Sequence, residues 1–139
     1  MSYGASAALQ EAVYDALLAD PALDALVQGA IYDALPAGIL PSLYVTLGPE
    51  EVRDATDCSG DGAWHRFTVS VVTDAAGFHA AKQVAAAVSD ALVDADLTLT
   101  RGALAGLHFF RARAKREGTG DLRRIDLTFR ARTQDIPQP

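Results

Sequence analysis

The chain has 139 residues, half of them apolar, with 18 acids against 12 bases and a formal net charge of −6. A chain of this size buries about two thirds of its unfolded surface, so it needs neither metal nor disulfide to hold a core. No apolar run is long enough to span a membrane, and a single cysteine, Cys58, excludes an internal disulfide. The opening "MSYGASAALQEAVYDALL" lacks the basic segment of a secretory signal, so a reducing, cytoplasmic origin is expected.

Leu9, Val13 and Leu17 recur every four residues beside Ala12 and Ala16, which predicts an amphipathic helix over 6–19. Asp20 is placed to cap a second short helix, and Pro21 suits its first position, where the missing N–H has no helical partner anyway. The N-terminal helices are therefore expected within 6–28. "ALPAGILPS" carries Pro36, Gly38 and Pro41 and reads as a loop.

The period then changes to two. Leu43, Val45 and Leu47 alternate with Tyr44 and Thr46 as a half-buried strand, which Gly48 and Pro49 interrupt. Residues 64–73 alternate again, with Phe67, Val69 and Val71 on one face. Residues 77–94 return to a helical period through Ala81, Val84, Ala85, Val88 and Leu92, and the alanines allow close approach to a sheet. "LTLT" (97–100) offers a short strand at most.

Residues 106–133 hold two strand-like runs around "EGTG", a glycine-containing hairpin loop. Pairing Phe110 with Leu127 and Ala112 with Ile125 gives Phe110, Ala112, Ile125, Leu127 and Phe129 one apolar face. Arg111, Arg113, Lys115, Arg124 and Arg130 then share the other, with Asp126 opposite Arg111. The polar tail, 134–139, is expected to fray. The whole reads as α+β: a single domain over 1–139, built on one mixed, mostly antiparallel sheet with helices packed against it and a long C-terminal β-hairpin. The sheet and its helix are expected within 43–133.

"DATDCSGDG" (54–62) spaces Asp57, Ser59, Asp61 and Gly62 like the start of an EF-hand loop. The twelfth position is Thr68 where that motif needs a bidentate glutamate, and the flanks are strands, so the stretch reads as a turn and no metal is expected. His65, His79 and His108 are scattered without helical zinc spacing and read as exposed or sheet histidines. No nucleophile elbow or phosphate-binding glycine loop occurs, so neither catalytic residues nor cofactors are expected.

Charge is the strong signal. Residues 1–100 hold fourteen acids and three bases, a charge of −11, whereas 101–139 hold nine bases and four acids, a charge of +5. The hairpin arginines admit three readings: phosphate contacts to nucleic acid, a solvated strand face, or a protein interface, where arginine is favoured. The acidic total and the absence of evident aromatic interleaving weigh against nucleic acid. Arg111, Arg113, Lys115, Arg124 and Arg130 are the candidate interface, with Asp57, Gly60, Asp61 and Gly62 as a second contact loop.

Three stretches resemble one family. "ILPSLYVTLGPEEVRDA" carries Tyr44–Val45–Thr46–Leu47–Gly48 followed by acids, "GDGAWHRFTVSV" leads a Gly-Asp-Gly loop into a strand, and "GFHAAKQVAAAVSDALVDADLTLTRGALAGLHF" joins an alanine-rich helix to an apolar strand. In this order, over about residues 9–133, they resemble the tail completion or tail terminator proteins of long, non-contractile-tailed phages and gene transfer agents. The resemblance implies a structural virion protein, a ring of typically six subunits at the head-proximal end of the tail. Its implied partners are the major tail tube protein and the head–tail connector, with DNA passing through the ring and no membrane or specific nucleic-acid binding. It implies no catalytic residues, and a location in the particle tail after assembly in the host cytoplasm. The alternative left by the residues alone is a small nucleic-acid-binding domain using the basic hairpin face.

Overall fold

Period-two alternation becomes five strands: β1 (Ile31–Tyr32), β2 (Leu43–Asp54), β3 (Gly62–Thr73), β4 (Ala103–Glu117) and β5 (Leu122–Gln134). The structure, a computed structural model, describes residues 3–56, 60–118 and 121–135. The strands form one sheet in the order β1-β2-β3-β5-β4. β1 runs parallel to β2, and every other pair is antiparallel. Among the described residues three helices complete an α+β fold: α1 (Ser6–Ala19), α2 (Pro21–Val27) and α3 (His79–Leu92).

The helices contact one another and form one layer on one face of the sheet. Leu9, Val13 and Leu17 from α1, Leu23 and Val27 from α2, and Ala81, Val84, Val88 and Leu92 from α3 are all buried there. They meet Val45, Val69, Val71, Ile125, Leu127 and Phe129 from the strands. Asp20 caps α2 as its position predicts, its Oδ2 accepting from the Leu23 N–H at 2.9 Å.

Of three bulges in the described sheet, one of them in β4 between Leu104 and Gly106, two decide where Glu50 and Phe110 point. Gly48 and Pro49 do not end β2. They add one residue to it between the Leu47–Val69 and Glu50–Phe67 pairs, because proline has no N–H for the ladder. Leu47 and Glu50 consequently point to the same, helix-covered side. A second bulge falls in β4 between Phe109 and Arg111.

That second bulge corrects the expected hairpin register. Phe109, not Phe110, lies opposite Phe129, and their rings meet edge to face at 6.0 Å. Beyond the bulge Ala112 pairs with Leu127 and Ala114 with Ile125, so Asp126 faces Arg113 and Arg111 faces Thr128. The register moved by an even step there, so the arginines keep the expected face while Phe110 joins them.

Other boundaries differ too: β3 begins at Gly62 rather than 64, β4 at Ala103 rather than 106, and α3 spans His79–Leu92 rather than 77–94. The two-residue β1 precedes the predicted sheet; its pairing with β2 rests on two residues, too few to show a period. Residues 97–100 form no strand, although Leu99 is buried. β5 continues through Gln134, and Asp135 is held by a backbone bond to Asp61 and a bidentate Arg101 contact at 2.8 and 3.0 Å. Fraying thus does not begin at 134, and 136–139 lie outside the described residues.

Candidate functional site

Alternation along β3 and β5 gives the sheet a second face that no described helix covers. Trp64, Arg66, Thr68 and Ser70 of β3 stand beside Arg124, Asp126, Thr128, Arg130 and Arg132 of β5, and Arg111, Arg113 and Lys115 of β4 extend the row to the sheet edge. All five predicted basic residues therefore share this face. A groove of about 390 Å³ runs across it, lined by Thr68, Ser70, Arg111, Arg113, Arg124 and Asp126 among others.

Towards the hairpin turn the face is organised by one carboxylate. Asp126 Oδ1 accepts from Ser70 Oγ at 2.7 Å and from Arg124 Nε at 2.8 Å. Arg124 Nη1 also reaches Glu117 at 3.3 Å, and Lys115 Nζ lies 4.0 Å from Asp126. Burial pushes the Asp126 carboxyl up, but the hydrogen bonds from Ser70 and Arg124 outweigh it and hold it below the usual carboxylate range. No ion pair joins Arg111 or Arg113 to a described carboxylate. Those two side chains add positive charge to the face that no described carboxylate offsets.

At the other end of the strands the same face is aromatic. The Arg130 guanidinium lies 4.4 Å from the centre of the Trp64 ring, and Arg66 lies 4.4 Å from that of Phe110. Arg132 approaches Trp64 at 5.5 Å and donates from Nη2 to the Ala55 carbonyl. The expected lack of aromatic interleaving is thus corrected: the bulge brings Phe110 to the arginines, and strand parity brings Trp64. Both rings are already engaged by cations of the same chain.

The second predicted contact loop does join two strands. Ala55 N–H bonds the Gly62 carbonyl, and Thr56 bonds Asp54 through both its N–H and its hydroxyl. Gly62 is explained by crowding: a Cβ there would sit 3.0 Å from the Ala55 oxygen and 3.1 Å from the Thr133 oxygen. Asp57, Cys58 and Ser59 lie outside the described residues. Gly60, Asp61 and Gly62 sit where β3 begins, whereas Lys115 and Arg124 sit where β3 ends. The structure does not bring the two candidate groups together.

One polar cluster was missed by sequence reasoning. His65 is 0% exposed, its Nε2 2.8 Å from Thr133 Oγ1 and its Nδ1 3.4 Å from Glu50 Oε2. Glu50 Oε1 also accepts from Ser6 Oγ at 2.6 Å, tying the start of α1 to the sheet. Burial pushes Glu50 up, but the His65 and Ser6 contacts outweigh it and leave its carboxyl below the ordinary range. The signal was present for His65, which shares the parity of Phe67 and Val69. For Glu50 it was not, since only the bulge turns it inward. The Thr133–His65–Glu50 order imitates a hydrolytic triad, but Thr133 is 1% exposed and no substrate reaches it. His79 and His108 are exposed. Among the described residues no three His, Cys, Asp or Glu side chains gather as a metal site.

A helix-backed sheet whose open face is shallow, charged and rich in arginine has the composition of a docking surface, since arginine is favoured at protein interfaces. Comparison with known proteins goes further. The chain belongs to the tail completion protein gp17 family, whose model matches residues 11–134. Its fold is similar to that of a chain in the solved "Virion of native gene transfer agent (GTA) particle", with 60% sequence identity and a TM-score of 0.92. That match covers 96% of this chain and 99% of the other. No curated protein matches the sequence. The protein is a structural component of a virion tail.

Proposed function

We propose that the protein forms a ring at the head-proximal end of a phage-like tail, stops polymerisation of the tail tube and joins the tail to the head connector. Six copies make the ring, the number implied by the family resemblance. The observation that carries the reading is the near full-length match to a chain of an assembled gene transfer agent particle. The open basic face supports it physically. Arg111, Arg113, Lys115, Arg124 and Arg130 share one surface, on which Arg111 and Arg113 are open to an acidic neighbour, and residues 1–100 carry the complementary excess of acids. The role is architectural, with no cofactor and no reaction. The partners are further copies, the major tail tube protein and the connector, met during assembly in the host cytoplasm.

Native mass of the protein alone, and then mixed with its major tail tube protein, tests this. A sixfold mass in either sample is expected, and the sample in which it appears identifies the trigger for closure. Monomers in both would overturn the ring. The arginine–aromatic stacks at Trp64 and Phe110 favour a second reading, binding of nucleic acid strands. DNA binding at physiological salt that falls steeply as salt rises would support it.

A further inference from the structure

Resting on the ring reading, we propose that neighbouring copies join edge to edge, an apolar knob beside β1 of one copy seating on a bare ledge of β4 in the next. A ring needs two different, complementary surfaces on every subunit, because its contacts are head-to-tail. The sheet order β1-β2-β3-β5-β4 puts β1 and β4 at opposite edges. Each edge presents one unsatisfied apolar feature.

The knob follows from the parallel pairing of β1 with β2. Residues 33–42 must return along the length of β1 to start β2 in the same direction, with Leu40 packed against the core. This return, "DALPAGILPS", is apolar where a surface loop is ordinarily polar. Ile39 is 100% exposed and Leu35 50% exposed. Pro36 and Pro41 restrict the backbone around them, which lowers the entropy lost when such a loop docks.

The ledge is the helix side of β4 beyond the reach of α3. Phe109 is 46% exposed, and Ala112 and Ala114, on the same side of the strand, are exposed as well. β4 is a long edge strand with no neighbouring strand on its outer side among the described residues, where Leu107 O accepts from the Asp94 N–H at 3.0 Å, and such edges are features that proteins cover or guard. Two small alanines beside one aromatic ring keep this side of the strand low and apolar, which suits a branched aliphatic side chain.

Charge orients the pair. Asp33 opens the knob loop and Glu11 lies beside it on α1, both exposed, and the first basic residue of the chain is Arg53. Arg116 lies on the ledge side of β4, and Arg111, Arg113 and Lys115 alternate with the ledge residues along the same edge strand, their side chains on its other face. Knob against knob, or ledge against ledge, would set like charges together; knob on ledge sets acid against base.

Cysteine cross-linking tests the contact. In a Cys58→Ser background, Ile39→Cys is combined in turn with Phe109→Cys, Ala112→Cys and Ala114→Cys, and assembled protein is oxidised. A ladder of covalent oligomers on a non-reducing gel is expected from at least one combination, and none from Ile39→Cys with Leu18→Cys. Separately, Ile39→Asp should weaken assembly by roughly tenfold or more, the scale for burying one aliphatic side chain, without moving the unfolding midpoint. Sixfold-mass rings that give no ladder, or that form normally with Ile39→Asp, overturn the edge contact and leave the ring reading standing. A wild-type protein that never exceeds monomer mass, alone or with the tail tube, overturns both.

Discussion

Strand β5 has two sides with opposite assignments. Ile125, Leu127, Phe129 and Ala131 are buried beneath the helices, while Arg124, Asp126, Thr128 and Arg130, one residue away in each case, face outwards. The covered side is held by packing, so its energetics belong to the isolated chain. The open side is held by hydrogen bonds and cation–ring contacts that leave Arg111 and Arg113 without a described acidic partner, so part of its energetics awaits a partner. On the proposed reading the difference makes fold and assembly separable, and mutations on alternate residues of one strand should separate them.

The largest expected effect lies on the covered side. Phe129 is 0% exposed, packed on Phe67 at 5.6 Å and on Phe109. Phe129→Ala should cost about 3–5 kcal/mol through lost burial and the remaining cavity, read as a fall in the urea midpoint. A loss below about 1 kcal/mol would mean that this side is not the organising core.

Smaller effects test the polar ties within the covered layer. His65→Ala deprives Thr133 and Glu50 of a buried partner and should cost about 1–3 kcal/mol. Asp20→Ala removes the cap of α2 and should cost about 1 kcal/mol. The pH dependence has a defined sign. Glu50 and Asp126 are held below their ordinary values, so their contribution is complete above the unfolded carboxylate range, about pH 4. It is lost as pH falls through their lower folded values, because the unfolded chain then binds more protons. The urea midpoint should decline below about pH 4, and the Glu50→Gln, Asp126→Asn double variant should decline less. An equal decline in the double variant would assign the acid sensitivity to other carboxylates.

Much of this division was legible in the sequence because parity survives small errors of register. Arg111, Arg113, Lys115, Arg124 and Arg130 were assigned to one face by alternation alone, and an even shift of pairing left them there. Phe110 was misplaced because a bulge adds a residue without a sequence signature as firm as glycine or proline. Gly48 and Pro49 did mark an irregularity, but they read as the end of a strand that in fact continues to Asp54. Its continuation brings Glu50 to His65, a contact between residues on different strands that no local pattern encodes. Asp61 was correctly set between strands, whereas Gly62, expected in the same loop, is the first residue of β3. The distance of this stretch from the hairpin turn along β3 depended on topology and was not legible.

The smallest effect on the folded chain should come from the open side, and it is the sharpest test of the comparison. Arg111 and Arg113 are exposed and joined to no described acid, so the Arg111→Glu, Arg113→Glu variant should change stability by no more than about 0.5 kcal/mol. The ring should nevertheless weaken, because reversing two charges turns an attraction to an acidic neighbour into repulsion. Arg124 is unsuitable for this purpose: it already bonds Asp126 and Glu117, so its reversal would repel them and unsettle the monomer as well. Unfolding midpoint and native mass measured together distinguish the outcomes. An unchanged midpoint with lost sixfold mass assigns the open face to assembly. An unchanged midpoint with intact rings would leave this face to the tube or connector, and a lowered midpoint would show that the two sides of the sheet are not separable.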